Sequence, residues 1–386
     1  MNDNKNITNQ KLPLQGVGGL GLRAIISGGG TGGHIFPAIA IANALKKLDP
    51  AAEILFVGAL GRMEMEKVPA AGYKIIGLDI QGIQRKAIWK NVLFPVKLLK
   101  SLNRALKIIR DFKPDVAVGV GGYASGPLLY AASLTGVPYL IQEQNSYAGI
   151  TNKRLGKKAK KICVAFDGME KFFPANAILK TGNPIRRDSV NIAGKQDEGY
   201  KFFKLSPSKK TILVTGGSLG ARTLNNSIMA GLDKIVDADV QIIWQTGKFY
   251  YNGIIEKLGE NYHPNICVTE FLTRMDLAYA VADIIISRAG AGTIAELTVV
   301  RKPVILVPSP NVAEDHQTKN AMALVQEKAA VLVADKDAET QLVNKAIELI
   351  NDKEEQKILI ENIGKMAMPD ADEVIAKEVL LIVHGS

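Results

Sequence analysis

The chain is short of what marks secreted, membrane-spanning and disulfide-stapled proteins. Among 386 residues there are only two cysteines, Cys163 and Cys267, each in an apolar strand-like run, so no disulfide framework can form and a reducing compartment is expected. No window reaches the roughly 18 uninterrupted apolar residues that cross a bilayer. The start, Met1 to Gln15, is polar and lacks an apolar run of the signal-peptide kind. These absences point to a soluble, cytoplasmic protein or one bound only to a membrane surface. Acid is also in deficit: 38 Asp+Glu against 48 Lys+Arg leave a formal charge of +10, which favours acidic partners. No nucleic-acid reader motif accompanies that charge, so no nucleic-acid partner is expected and anionic lipid is the better match.

What is present is glycine placed between strands and helices. Leu22 to Ser27 reads as a strand, Gly28 to Gly33 as a loop ending in His34, and Pro37 to Leu48 as an amphipathic helix. Side-chain-free residues let a ligand approach the main chain, and a helix N-terminus offers unpaired N–H donors to an anion. His34 is one of only four histidines, and imidazole is the side chain best suited to take a proton near neutral pH. A capped turn with a packed histidine is the plainer alternative. The pattern recurs at Thr211 to Thr215, Gly216 to Arg222 and a helix over Leu224 to Ile235. Neither loop has the spacing of a dinucleotide fingerprint or a P-loop. Two such beginnings in a chain this long suggest an α/β protein of two Rossmann-like domains facing across a cleft.

Alternation continues between them. Strands are expected at Ala52 to Gly58, Tyr73 to Ile80, Asp115 to Val120, Pro138 to Asn145 and Ile162 to Phe166, the last closing the first sheet. Loops at their carboxyl ends carry Tyr123, Glu143 and Asn145, where open α/β sheets bind ligands. Thr181 to Arg187 reads as an interdomain crossing, and further strands are expected near Val240 to Gln245, Ile266 to Val268, Ile284 to Ser287, Val304 to Val307 and Ala330 to Val333. Helices are expected over Lys353 to Met368 and Ala371 to Val383. Between Arg85 and Arg110, eight Lys and Arg side chains interleave with Trp89, Phe94 and aliphatic residues, the composition of an interfacial helix. Pro95 breaks that pattern, so Ile88 to Phe94 is the better lipid contact, with Lys153 to Lys161 as an extension of the patch.

The most specific segment is Ser287 to Leu297. It places Thr293 near a helix start and Glu296 within the first turn, where its carboxylate suits a ribose diol or, alternatively, a capping box with Thr293. With GGGTGGHIFPAIA from Gly28, GGYASGP from Gly121, EQNSYAGITNK from Glu143, TGNPIR from Thr181, GGSLGA from Gly216, SRAGAGTIAE from Ser287 and DHQTKNA from Asp315 in this order, the chain resembles the MurG family of peptidoglycan glycosyltransferases.

The resemblance implies the GT-B fold: a flexible tail over 1–18, an acceptor and membrane-facing domain over 19–186 plus 371–386, and a UDP-N-acetylglucosamine domain over 187–370. It implies an inverting transfer of N-acetylglucosamine from UDP-N-acetylglucosamine to the muramyl 4-hydroxyl of lipid I, giving lipid II, with no metal and no cofactor. On the donor side it points to Glu296 for the ribose, the main chain at Leu272 for uracil, and Ser218 and Arg186 for the diphosphate. Ala291, Gly292, Thr293, Gln317 and Asn145 are implied sugar and diphosphate contacts, with Thr31, Gly32 and Gly33 also at the donor; Gly292 contributes main chain only, where the family often carries leucine. Gly29, Gly30 and Tyr123 are implied at the acceptor, with His34 as base and Glu143 as the alternative. Implied partners are lipid I, an anionic membrane surface at the cytoplasmic face of the inner membrane, and proteins of cell-wall synthesis and division. Another GT-B transferase using a UDP-sugar, or a non-catalytic UDP-sugar-binding module, remains an alternative to be separated by turnover.

Overall fold

A computed structural model describes residues 21–81, 94–217, 219–259 and 263–385. The expected tail over 1–18, most of the apolar-basic stretch before Phe94, and Ser218 lie outside the described residues. Among the described residues, thirteen strands form two parallel sheets. The first contains β1 (Arg23–Gly28), β2 (Glu53–Ala59), β3 (Lys74–Leu78), β4 (Val116–Gly121), β5 (Tyr139–Glu143), β6 (Lys161–Val164) and β7 (Ile178–Lys180), in the order β3-β2-β1-β4-β5-β6-β7. The second contains β8 (Thr211–Thr215), β9 (Gln241–Gln245), β10 (Ile266–Thr269), β11 (Ile284–Ser287), β12 (Val304–Leu306) and β13 (Val331–Leu332), in the order β10-β9-β8-β11-β12-β13.

Both sheets are covered on both faces, which is why their strands read as unbroken apolar runs. In β1, Ala24 and Ile26 pack with helix Gly32–Leu48 and the final helix Ala371–His384, while Ile25 faces helices Phe94–Phe112 and Ser125–Thr135. In β8, Ile212 and Val214 pack with Arg222–Ala230 and Ala338–Asn351, and Leu213 faces Met275–Val281 and Ala291–Val300. Each such isoleucine, leucine or valine contributes about 1.5–3 kcal/mol by burial. Strand order reverses between β1 and β4 and again between β8 and β11, so each sheet opens one crevice at its carboxyl edge.

Four local expectations are corrected. The first sheet does not close at Ile162 to Phe166: β6 ends at Val164, and β7 adds an edge strand beyond it. The first helix begins at Gly32 rather than Pro37, so Gly32, Gly33 and His34 are its opening turn. Pro95 lies near the start of helix Phe94–Phe112 among the described residues, and the stretch Ile88 to Leu93 that it was expected to set apart lies outside them. The helix expected over Leu224 to Ile235 is two, parted at Gly231. Glu296 is not in the first turn of its helix: Gly290 is the N-cap, Thr293 the third helical residue and Glu296 the sixth, which removes the capping-box alternative.

Candidate functional site

The first crevice is built by the loops that leave β1, β4 and β5. Thr31 is the extended N-cap of Gly32–Leu48, which leaves the N–H groups of Gly32 and Gly33 without intrahelical partners. The loop after β4 is drawn onto this one: Gly29 donates its N–H to the Gly121 carbonyl at 3.2 Å. Gly121 has φ +111°, and a Cβ there would lie 2.8 Å from His34 Nε2, so any side chain would push the imidazole out of place. His34 Nδ1 stands 3.4 Å from the Thr31 hydroxyl. Burial pushes the imidazole below its ordinary value, a hydrogen bond to the Gly29 main chain and the Glu64 carboxylate oppose that, and His316 from the second half adds to it. The net direction favours a neutral ring, which is the form able to take a proton. Tyr123, exposed beside it, carries the Arg62 guanidinium 5.7 Å over its ring.

Glu143 ends β5 almost out of water. Its Oε2 accepts from Asn152 Nδ2 at 2.8 Å and from the Gly149 N–H at 3.3 Å, and its Oε1 accepts from the Asn145 N–H at 3.1 Å. Burial raises its pKa, with those three donors opposing. The carboxylate thus organises its own loop, and each of its oxygens is already engaged.

The second crevice lies beyond β8 and β11. Ala291, Gly292 and Thr293 form the opening turn of Ala291–Val300, and Glu296 follows on the same helix. Arg186 Nε donates to Glu296 Oε1 at 3.3 Å, and the Tyr279 hydroxyl donates to Oε2 at 3.3 Å. Burial raises the Glu296 pKa while Arg186 and Tyr279 lower it. Two side chains singled out for different parts of one nucleotide therefore pair with each other here. Gln317 Oε1 accepts the Ser309 N–H at 2.9 Å, tying the loop after β12 to helix His316–Gln326, and Leu272 is buried before helix Met275–Val281.

The two halves meet through polar groups. Asn320, fully buried, donates to Asn145 Oδ1 at 3.1 Å and accepts from the Ser146 N–H at 2.9 Å. Asn183 donates to the Gln144 carbonyl at 3.0 Å and to the Ala291 carbonyl at 3.4 Å. Asn320 lies in the segment DHQTKNA, one turn beyond Gln317, yet nothing local marks it as the partner of Asn145. Tyr279 and Glu64, both fully buried, carry no local mark either.

Two family domains match the chain: the glycosyltransferase family 28 N-terminal domain over residues 24–164 and the C-terminal domain over residues 211–375. A Parabacteroides distasonis protein named UDP-N-acetylglucosamine–N-acetylmuramyl-(pentapeptide) pyrophosphoryl-undecaprenol N-acetylglucosamine transferase is 59% identical over 94% of this chain and 98% of its own length. A Bacteroides fragilis protein of the same name is 58% identical, over 95% and 97%. Among solved structures, MurG of Acinetobacter baumannii superposes with TM-score 0.76 at 28% identity, covering 93% of this chain and 99% of that one. The two doubly wound sheets with their facing crevices are the GT-B arrangement, and the chain belongs to glycosyltransferase family 28.

Proposed function

We propose that this chain is an inverting N-acetylglucosaminyltransferase that moves N-acetylglucosamine from UDP-N-acetylglucosamine to the muramyl 4-hydroxyl of undecaprenyl-diphosphate-linked N-acetylmuramyl-pentapeptide, a step of peptidoglycan synthesis. The observation that carries this reading is the 59% identity, over 94% of the chain, with a transferase named for that donor and acceptor. The placement of a neutral imidazole in one crevice and an ion pair in the other supports it.

In the second half, the uracil edge meets the main chain at Leu272, and the ribose hydroxyls take Glu296. Arg186, released from Glu296 by that exchange, turns to the diphosphate together with the Gly216–Gly220 loop and Ser218. Ala291, Gly292, Thr293, Gln317 and Asn145 receive the sugar and diphosphate, with Thr31, Gly32 and Gly33 closing over the donor from the first half. Gly29, Gly30 and Tyr123 receive the acceptor diphosphate. The acceptor oxygen bonds to the anomeric carbon as the bond from that carbon to UDP breaks. The electron pair leaves with UDP, and the hydroxyl proton goes to His34. Donors already aimed at the departing diphosphate stabilise the charge that builds there. Glu143 holds the loop that bears Asn145 and is the less suited base, because its oxygens already accept hydrogen bonds.

A lipid-linked acceptor requires the first crevice to approach the headgroup layer. None of the described helices is long and apolar enough to cross a membrane, so docking at the cytoplasmic face is peripheral in this reading. Helix Phe94–Phe112 offers exposed Val96, Leu98 and Leu99 beside Lys97 and Lys100, continuing the apolar-basic stretch that carries Trp89. The reaction ties the chain to cell shape and division, whose proteins are its expected partners. Radiolabelled UDP-N-acetylglucosamine with a lipid I analogue, run against UDP-glucose and UDP-N-acetylgalactosamine, tests the reading. Transfer from the first donor alone supports it; binding without turnover would leave a sugar-nucleotide-binding module.

A further inference from the structure

Helix Glu64–Ala70 brings one side chain to the first crevice that the scheme above leaves unused. Glu64 is 0% exposed, and both of its oxygens are acceptors: Oε1 takes the Ala59 N–H at 3.0 Å and Oε2 the Gly30 N–H at 2.9 Å. It joins the end of β2 to the glycine loop after β1. Gly29 lies so close to it that a Cβ there would be 2.2 Å from Oε1. An apolar side chain would fill this space without the desolvation cost of a carboxylate, which two neutral N–H donors offset only in part. A negative charge under a loop that receives a diphosphate also works against that ligand. What a carboxylate supplies and a neutral residue does not is charge one loop away from His34: Glu64 accepts from Gly30 and lies against Gly29, whose main chain bonds the imidazole, and its charge favours the protonated ring.

Resting on the reading of His34 as the base, we propose that Glu64 is a positioning residue. It holds Gly29 and Gly30 in the conformation that meets the acceptor, and it stabilises the imidazolium formed when His34 takes the acceptor proton. Both tasks explain why this position carries a glutamate facing a glycine. The other groups around the imidazole are the Thr31 hydroxyl, the main chain of Gly29 and Gly121, and His316, which acts in the opposite sense to Glu64.

The test uses the full chain with UDP-N-acetylglucosamine and a lipid I analogue, and reads turnover, donor KM and the pH profile. Glu64→Gln should lower turnover about 10–100-fold, leave donor KM within about twofold, and move the acid limb of the profile to lower pH, since a negative charge near the base is lost. In a His34→Ala background the part of the loss that runs through the imidazole should disappear, so the two losses should combine to less than their product. Glu64→Asp keeps the charge but cannot reach from Gly30 to Ala59; turnover should fall while the acid limb stays near the parent position. An unmoved acid limb in Glu64→Gln with losses that simply multiply in the double variant would overturn the proposal. If Glu64→Gln does not fold, the aspartate variant decides: turnover within about twofold of the parent also overturns it. A parent chain without transfer, or His34→Ala with parent turnover, instead sinks the reading of the reaction on which Glu64's part depends.

Discussion

In the first half, the crevice between β1 and β4 holds an imidazole, with the buried carboxylates Glu64 and Glu143 accepting from nearby main-chain N–H groups. In the second half, the crevice beyond β8 and β11 is flanked by the ion pairs Arg186–Glu296 and Arg288–Asp335. The same strand order, reversing at the same point, thus frames two electrical environments. In the first, acidic groups are tied to main chain and burial favours the neutral ring, as the proposed base requires. In the second, opposite charges neutralise each other in pairs that the proposed nucleotide would exchange for its own contacts. Topology chose where each crevice opens, and the side chains at the strand ends chose what it can do.

The sharpest break in this comparison is His34→Ala. Turnover is expected to fall about 10²–10⁴-fold while donor KM changes little, since only the proton acceptor is removed. The pH dependence checks the same point. Burial lowers the His34 pKa, so the neutral base persists below the ordinary histidine range and activity in the parent falls only as pH drops through that lowered value. The unfolded chain takes up the proton first, below about pH 6.5, so stability also declines as pH falls from there through the folded-state value. An acid limb at or above the ordinary histidine range would transfer the base role elsewhere.

Glu296→Ala strikes the opposite crevice. Loss of one charge-assisted contact should weaken donor binding by roughly 1.5–3 kcal/mol and raise donor KM, with a smaller change in turnover. Unchanged nucleotide affinity in a folded variant, measured by calorimetry, would erase the contrast between the halves. Replacing two or three of Arg85, Lys86, Lys90 and Lys97 with serine should cost about 1 kcal/mol each in binding to anionic vesicles. Trp89→Ser with Phe94→Ser should weaken that binding even at high salt, where charge is screened. Vesicle sedimentation decides, and parent-like binding by both sets would move the docking surface to Lys153 to Lys161.

Asn320→Ala tests the seam between the halves. The half-buried Asn145 side chain and Ser146 N–H would lose their partner, a cost of about 0.5–1.5 kcal/mol per lost bond in thermal unfolding. The smallest effect is expected from Arg187→Ala. Arg187 pairs with Asp370, Asp372 and Glu373 where the final helix meets the crossing, yet it is half-exposed, so the change should be under about 1 kcal/mol. A larger loss would mean that this seam, more than Asn320, holds the final helix in place.

Much of this is legible in the sequence. Both glycine loops, the strands Thr211 to Thr215 and Ile284 to Ser287, and the segment bearing Glu296 announce themselves through local pattern, because buried parallel strands and tight approaches each demand particular residue types within a few positions. Short β7 was missed because three residues carry too little periodicity to read. Glu64 was missed because a glutamate opening a helix looks solvated until its neighbours are known.

Sequence alone therefore determined the two αβ alternations, the positions of their glycine turns and the residue types available at the strand ends, since these follow from contacts within one unit of chain. Tertiary structure decided which of those residues meet. Glu64 lies 34 positions from Gly30, Arg186 lies 110 from Glu296, and Asn145 lies 175 from Asn320. Nothing local encodes such pairs. They form when sheets pack and expel water, and the cost of leaving a buried polar group unsatisfied then selects its partner.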